Sequence, residues 1–231
     1  QAGQENSFGW EAMKTGLTFQ IALLAEQSKA GKIQVMTLAQ AGQWFRNHYA
    51  LTPPTSVVAL DDWKQEGRKT VWYDSRFYRL NMLWEQGVFY IIDLHCFDEK
   101  VVSVTHKASL TNRAGEYGTL QMMDGARWSG RKKAGIWPVL LSTNGETASM
   151  TPAGPPVVKE LNRTDLSCTQ PLNGGGTFTM VCRESRLICS AVDGRGEPLR
   201  WAWDLVGGEP QKNTVQRVTS NSVTYQSAGR D

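Results

Sequence analysis

Residues 71–98 read VWYDSRFYRLNMLWEQGVFYIIDLHCFD, and the alternation inside this stretch leaves few folds open to the chain. Tyr78, Leu80, Met82 and Trp84 alternate with Arg79, Asn81 and Leu83, as in a strand with one buried face. After Glu85-Gln86-Gly87 the period of two resumes, with Val88, Tyr90, Ile92, Leu94 and Cys96 on one side and Phe89, Ile91, Asp93, His95 and Phe97 on the other. The pattern predicts a β-hairpin closed by a three-residue loop, with Gly87 in the left-handed conformation. With Trp84 facing Val88, Leu80 faces Ile92, Met82 faces Tyr90 and Arg79 faces Asp93. One face is then apolar; the other pairs a cation with a carboxylate and lays His95 beside Phe77. A slip of one residue exchanges the faces.

The chain on either side of this hairpin differs in kind. From Ala12, the spacing of Met13, Leu17, Ile21 and Leu24 predicts an amphipathic helix stopped at Gly31. Residues 32–36 form a short strand candidate. Thr37-Leu-Ala-Gln40 is a capping box that opens a second helix reaching about His48-Tyr49, with Leu38, Ala41, Trp44 and Phe45 on its buried side. Pro53 and Pro54 break it, and residues 56–60 are expected to be a short buried strand ending in Asp61-Asp62-Trp63. Helix, strand, helix, strand is the order of an α/β layer with parallel strands. Beyond Trp63 come short β-like pieces at 101–105, 119–123, 136–142, 177–182, 187–192, 199–205 and 215–225. Turns at Asp124-Gly125, Asn144-Gly145, Asn173-Gly174, Asp193-Gly194 and Gly207-Gly208 separate them. The expected class is therefore α+β: an α/β remnant over 1–63, then an antiparallel β-sandwich over 64–231.

Composition narrows the partners. With 40% apolar and 20% charged residues in 231, and no apolar run near the ~20 a membrane helix needs, a membrane is not expected. The net charge of +3 is spread along the chain, and Arg131-Lys132-Lys133 is its only basic run, so nucleic acid is not expected either. The chain starts at Gln1 without a charged-then-apolar leader and stops just after a strand-like alternation, which suggests a fragment of a longer protein. Cys96, Cys168, Cys182 and Cys189 make no metal spacing with the three histidines, so no metal or cofactor is expected. Cys182 and Cys189 suit either a cross-hairpin disulfide or buried free thiols. Asn162-Arg-Thr164 matches a glycosylation sequon, which matters only in a secreting eukaryote.

Three clusters carry candidate chemistry. Asp61 and Asp62, with Trp63, end a strand, where α/β folds collect ligands; such carboxylates can hold a hydroxyl or protonate a leaving group, or simply form a polar turn. Trp72, Tyr73, Arg76, Tyr78 and Arg79 offer flat rings for sugar faces and forked donors for hydroxyls or carboxylates; Tyr78 and Trp84 equally suit a core. Trp72 and Tyr73 fall on opposite faces, so at least one should be exposed. Asp93 and His95 lie two residues apart on one strand face, as part of an acid–base or metal site or as structural partners of Arg79. Trp201 and Trp203 are same-face strand aromatics of the kind that fill cores. Phosphate-loop, dinucleotide, G-x-S-x-G, H-E-x-x-H and H-x-x-x-H motifs are absent from the sequence.

The segments GKIQVMTLAQAGQWFRNHYALTPPTSVVALDDW and VWYDSRFYRLNMLWEQGVFYIIDLHCFDE resemble the C-terminal part of bacterial proteins of the glycoside hydrolase/polysaccharide deacetylase superfamily. The Thr-capped helix at Thr37 to Tyr49 and the Thr-Pro segment at Thr52 to Thr55 carry the likeness. The resemblance implies a (β/α)-barrel followed by a β-sandwich, a carbohydrate substrate, and an upstream barrel domain as intramolecular partner. It carries over no catalytic residue, because the superfamily's metal-binding Asp and H-x-x-x-H have no counterpart here. The expected function is the C-terminal segment of a carbohydrate-active hydrolase, with Asp61 and Asp62 as candidate catalytic groups and Trp63, Trp72, Tyr73 and Arg76 as substrate-binding groups. The alternatives are a non-catalytic carbohydrate-binding or scaffolding module, and a structural interaction protein.

Overall fold

The structure, a computed structural model, describes residues 9–62, 64–98, 100, 120–207, 213–218 and 223–227. The chain divides into two compact units, Gln1–Leu51 and Thr52–Asp231. In the first, α1 (Trp10–Lys29) carries Glu11 in its first turn and Lys29 in its last, charges that suit the ends of the helix dipole. It stops at Ala30, and Gly31 adopts φ 69° beyond it. The second helix, α2 (Leu38–His48), opens with the expected capping box: the Gln40 N–H donates to Thr37 Oγ1 at 3.2 Å and the Thr37 N–H to Gln40 Oε1 at 2.9 Å. Residues 32–36 are not a strand, since no strand among the described residues of this unit offers them a ladder. No described side chain of this unit is buried; Phe19 is 69% exposed and Leu38 73%. The expected buried side of α2 is therefore only half-covered at Ala41 and Phe45, while Leu38 and Trp44 face solvent.

The second unit is antiparallel throughout its described pairings. Its larger sheet runs β1 (Thr55–Ala59), β2 (Lys69–Asp74), β3 (Tyr78–Glu85), β4 (Val88–Cys96), β6 (Gly135–Leu141), β12 (Trp201–Val206), with β5 (Leu120–Asp124) on β4 and β7 (Thr147–Ser149) on β6. The short helix α3 (Gly125–Trp128) follows β5. A four-stranded sheet runs β11 (Arg186–Val192), β10 (Thr177–Arg183), β9 (Leu166–Pro171), β8 (Val157–Glu160), and β13 (Asn213–Val218) pairs with β14 (Val223–Ser227). β1 corrects the sequence expectation. It is an exposed edge strand antiparallel to β2, with Thr55 opposite Asp74 and Ala59 opposite Thr70, not a buried strand of a parallel layer. The unit boundary accordingly falls between Leu51 and Thr52 rather than after Trp63, which lies outside the described residues, as does the strand candidate at 101–105.

The central hairpin forms, in a different register from the one expected. Gln86 and Gly87 both take positive φ, 52° and 75°, which makes a two-residue turn whose twist matches that of the strands. Glu85 then faces Val88, Trp84 faces Phe89 and Met82 faces Ile91. A bulge leaves Ile92 without a partner, and beyond it Asn81 faces Asp93, Leu80 faces Leu94 and Arg79 faces His95. Before the bulge, Phe89 and Ile91 point to the core; after it, Leu94 does, and Asp93 and His95 fall on the outer face.

The two sheets meet across one apolar core. Val71, Tyr73, Leu80, Met82, Trp84, Phe89 and Ile91 of the larger sheet pack with Leu166, Cys168, Phe178, Met180 and Cys182 of the smaller. Phe178 is the hinge of this packing, with Phe89 at 5.7 Å on one side and the edge-on rings of Trp201 and Trp203 at 5.2 and 5.8 Å on the other. Buried polar groups reach across and are satisfied: the Trp84 indole N–H donates to Gln170 Oε1 at 2.6 Å, and Gln170 donates in turn to the Gly154 and Pro171 carbonyls. All four cysteines are free; burial pushes Cys168 and Cys189 up to about 12, so they sit as inert thiols.

Candidate functional site

The residues singled out from sequence are dispersed. Asp61 is exposed beyond β1. Asp62 closes a turn, its two carboxylate oxygens accepting the Lys64 N–H at 2.8 Å and the Arg68 N–H at 3.1 Å. The little desolvation it suffers is outweighed by these backbone donors and the Arg68 charge, and its pKa falls below the usual carboxylate range. The turn, not a strand end beside a ligand crevice, is the role the geometry gives it. Tyr73 is 1% exposed and its hydroxyl donates to the Thr164 carbonyl at 2.6 Å, so it ties the sheets together and is closed to substrate. Arg76 bonds Glu184 at 3.2 Å and lies over the Phe77 ring. That contact, too, links the two sheets. Trp63 lies outside the described residues.

Trp72 lies on a polar, solvent-facing surface. It is half-buried on the outer face of β2, between Thr70 and Asp74, with the Arg79 guanidinium 5.9 Å from its ring centroid. Arg79 is itself fixed. Its Nε and Nη2 donate to the two oxygens of Asp93 at 2.8 and 2.9 Å, the planar fork that guanidinium and carboxylate make together. The cation–carboxylate pair expected from the alternation thus exists, diagonally across the bulged ladder instead of directly.

Behind this pair sits His95, 0% exposed. Its Nε2 lies 3.4 Å from Arg79 Nη2, 3.5 Å from Asp93 Oδ2 and 3.9 Å from Asp124 Oδ2. Burial lowers its pKa; Arg79 and Arg127 act in the same direction, against Asp93 and Asp124. The imidazole is therefore neutral at pH 7 and its Nε2 can accept from Arg79. Asp124, 3% exposed, caps α3 by accepting the Arg127 N–H on Oδ1 at 3.2 Å, while its Oδ2 is buried without a hydrogen-bond partner among the described residues. Asp93 and Asp124 are direct cross-strand neighbours, a like-charged pairing that costs stability unless a cation intervenes, as Arg79 does at Asp93. Next to them, burial holds the Asp74 carboxyl above its ordinary pKa, with Asp93 adding to the rise and Arg79 opposing it.

Sequence reasoning had Asp93, His95, Arg79 and Trp72 in view but missed Asp74 and Asp124 as members of the same cluster. The Asp124-Gly125 dipeptide carried a signal read only as a turn. Gly125 is needed because a Cβ there would lie 2.6 Å from Ile92 Cγ1 and 2.7 Å from the Ala134 carbonyl, so α3 docks directly on the bulge. The cluster can orient a charged fork beside an aromatic ring and hold both still. Among the described residues no group of His, Cys, Asp and Glu is arranged to hold a metal ion. Comparison of the chain with known protein families, characterised proteins and solved structures found no match.

Proposed function

We propose that the β unit is the saccharide-contacting module of a larger carbohydrate-active hydrolase, and that it binds its glycan on the outer face at Trp72 rather than cleaving it with Asp61 or Asp62. The observation that carries this is the half-open Trp72 ring on the outer face, with a guanidinium held by Asp93 5.9 Å from its centroid: an apolar plate for the C–H face of a sugar, set in a fixed polar surround. Because the fork is held in place before ligand arrives, little ordering cost attends binding. The turn role of Asp62 favours a binding task over a catalytic one for this unit.

In the same proposal, the helical unit is the end of an upstream barrel. The exposed Phe19, Ile21, Leu38 and Trp44 support it, since apolar side chains in such number on two short helices call for a partner surface. Titration of the full 231-residue chain with neutral oligosaccharides, read by tryptophan fluorescence and calorimetry, tests the binding site. Trp72→Ala should weaken glycan binding at least tenfold and Trp72→Phe by less, with the unfolding midpoint little changed; equal affinity in all three proteins would overturn the assignment.

A further inference from the structure

A recess of about 390 Å³ lies at the turn end of the hairpin, between Gly87 and the Pro152 to Pro156 segment. Its walls are apolar: Pro152, Pro155, Pro156, Val88 and Trp84. Two charged side chains line it, Glu85 and Lys69. Glu85 is almost enclosed and already neutralised. Its Oε1 accepts from the Tyr90 hydroxyl and from Lys133 Nζ, while Arg68 Nε stands 3.6 Å from Oε2. Although burial pushes the other way, these partners lower its pKa and keep it ionised. Oε2 therefore retains acceptor capacity, because 3.6 Å is beyond a hydrogen bond. Lys69 is half-buried and has no carboxylate partner among the described residues.

The charge balance of the recess decides the ligand. Lys133 and Arg68 already answer Glu85, and Arg68 also stands 3.4 Å from Glu66, which leaves Lys69 as the lining cation without a carboxylate among the described residues, so the group that completes the recess is an anion. The proline and Trp84 walls ask for flat C–H surface, and Glu85 Oε2 asks for a hydroxyl. We propose that this recess binds an acidic saccharide unit, a hexuronate, with the sugar carboxylate on Lys69 and a ring hydroxyl on Glu85. It rests on the carbohydrate reading of the β unit but uses a separate set of residues from the Trp72 face, and it would make the preferred glycan an anionic one.

The experiment is a paired titration of the full chain with a trigalacturonate and with its fully methyl-esterified counterpart, followed by calorimetry and by two-dimensional NMR. The acidic trisaccharide should bind at least tenfold more tightly at low salt, lose most of that margin at about 0.5 M salt as the partly exposed Lys69 is screened, and shift the Val88 and Gly87 amides. Lys69→Met should abolish the preference, whereas Val88→Asp should weaken binding of the acidic form most. Equal binding of both forms, or a preference that survives Lys69→Met, overturns the proposal. Acidic-form binding that depends on Lys69 but not on Trp72 leaves this site standing and sinks the Trp72 face; Trp72-dependent binding without acid preference does the reverse.

Discussion

The helical unit and the β unit solve the problem of apolar side chains in opposite ways. In Gln1–Leu51 the apolar stripe of α1 is half-covered at Met13 and Leu17 and exposed at Ile21 and Leu24, and α2 is supported by its capping box and by local ring pairs such as Trp44 on His48 at 4.5 Å. In Thr52–Asp231 the same kinds of side chain close over one another between two sheets, and even the buried hydroxyls and indole find acceptors. Local hydrogen bonding sets where a helix begins; only burial makes a fold stable by itself.

Four substitutions test that contrast. The largest effect is expected for Phe178→Ala, which empties the centre of the inter-sheet packing and should cost about 3–5 kcal/mol in urea unfolding. Phe19→Ala on α1 should change the same transition by less than about 0.5 kcal/mol; comparable losses from the two would erase the distinction between the units. Next come paired glycines. Gly125→Ala drives a methyl into Ile92 and the Ala134 carbonyl and should cost about 1–3 kcal/mol. Gly16→Ala, in the open interior of α1, should raise helicity by circular dichroism and stabilise that helix by about 0.5–1 kcal/mol.

The smallest effect is a pH dependence confined to the β unit. His95 is held neutral, with its folded pKa below the unfolded value of about 6.5. The unfolded chain therefore binds the extra proton first. The stability His95 lends is complete above that unfolded value and drains away as the pH falls from it toward the lowered folded one. The unfolding midpoint should drop as the pH falls below about 6.5, and His95→Gln should flatten that part of the profile; an unchanged slope in the variant would remove His95 from the account.

Much of the β unit was legible because its signals are local. Alternation located β3, β4, β10 and β11, the Gly-containing dipeptides located most turns, and Thr37 to Gln40 announced α2. What failed were choices set by a single residue or by distant pairing. The hairpin turn uses two residues instead of three because Gln86 accepts a left-handed φ, and the bulge at Ile92 then restores the expected faces for Leu94 while inverting those of Phe89 and Tyr90. The direction of β1 was illegible because five uncharged residues after two prolines suit a parallel or an antiparallel neighbour equally, and only pairing with β2 decides it. The candidate site was half legible: Trp72, Arg79, Asp93 and His95 lie on one hairpin, whereas Asp124 arrives from β5, which no local pattern could place beside them.

The unpaired Ile92 divides β4 into two stretches that obey opposite rules about which side chains look inward. Substitutions among residues 88–91 are therefore judged against the core by odd positions, and those among 93–96 by even ones. The polar groups gathered after the kink are themselves buried, Asp93 at 8% and His95 at 0% exposure, so they answer to one another's charges and hydrogen bonds rather than to the inter-sheet contacts laid down before it. One strand thus carries two foundations of different chemistry.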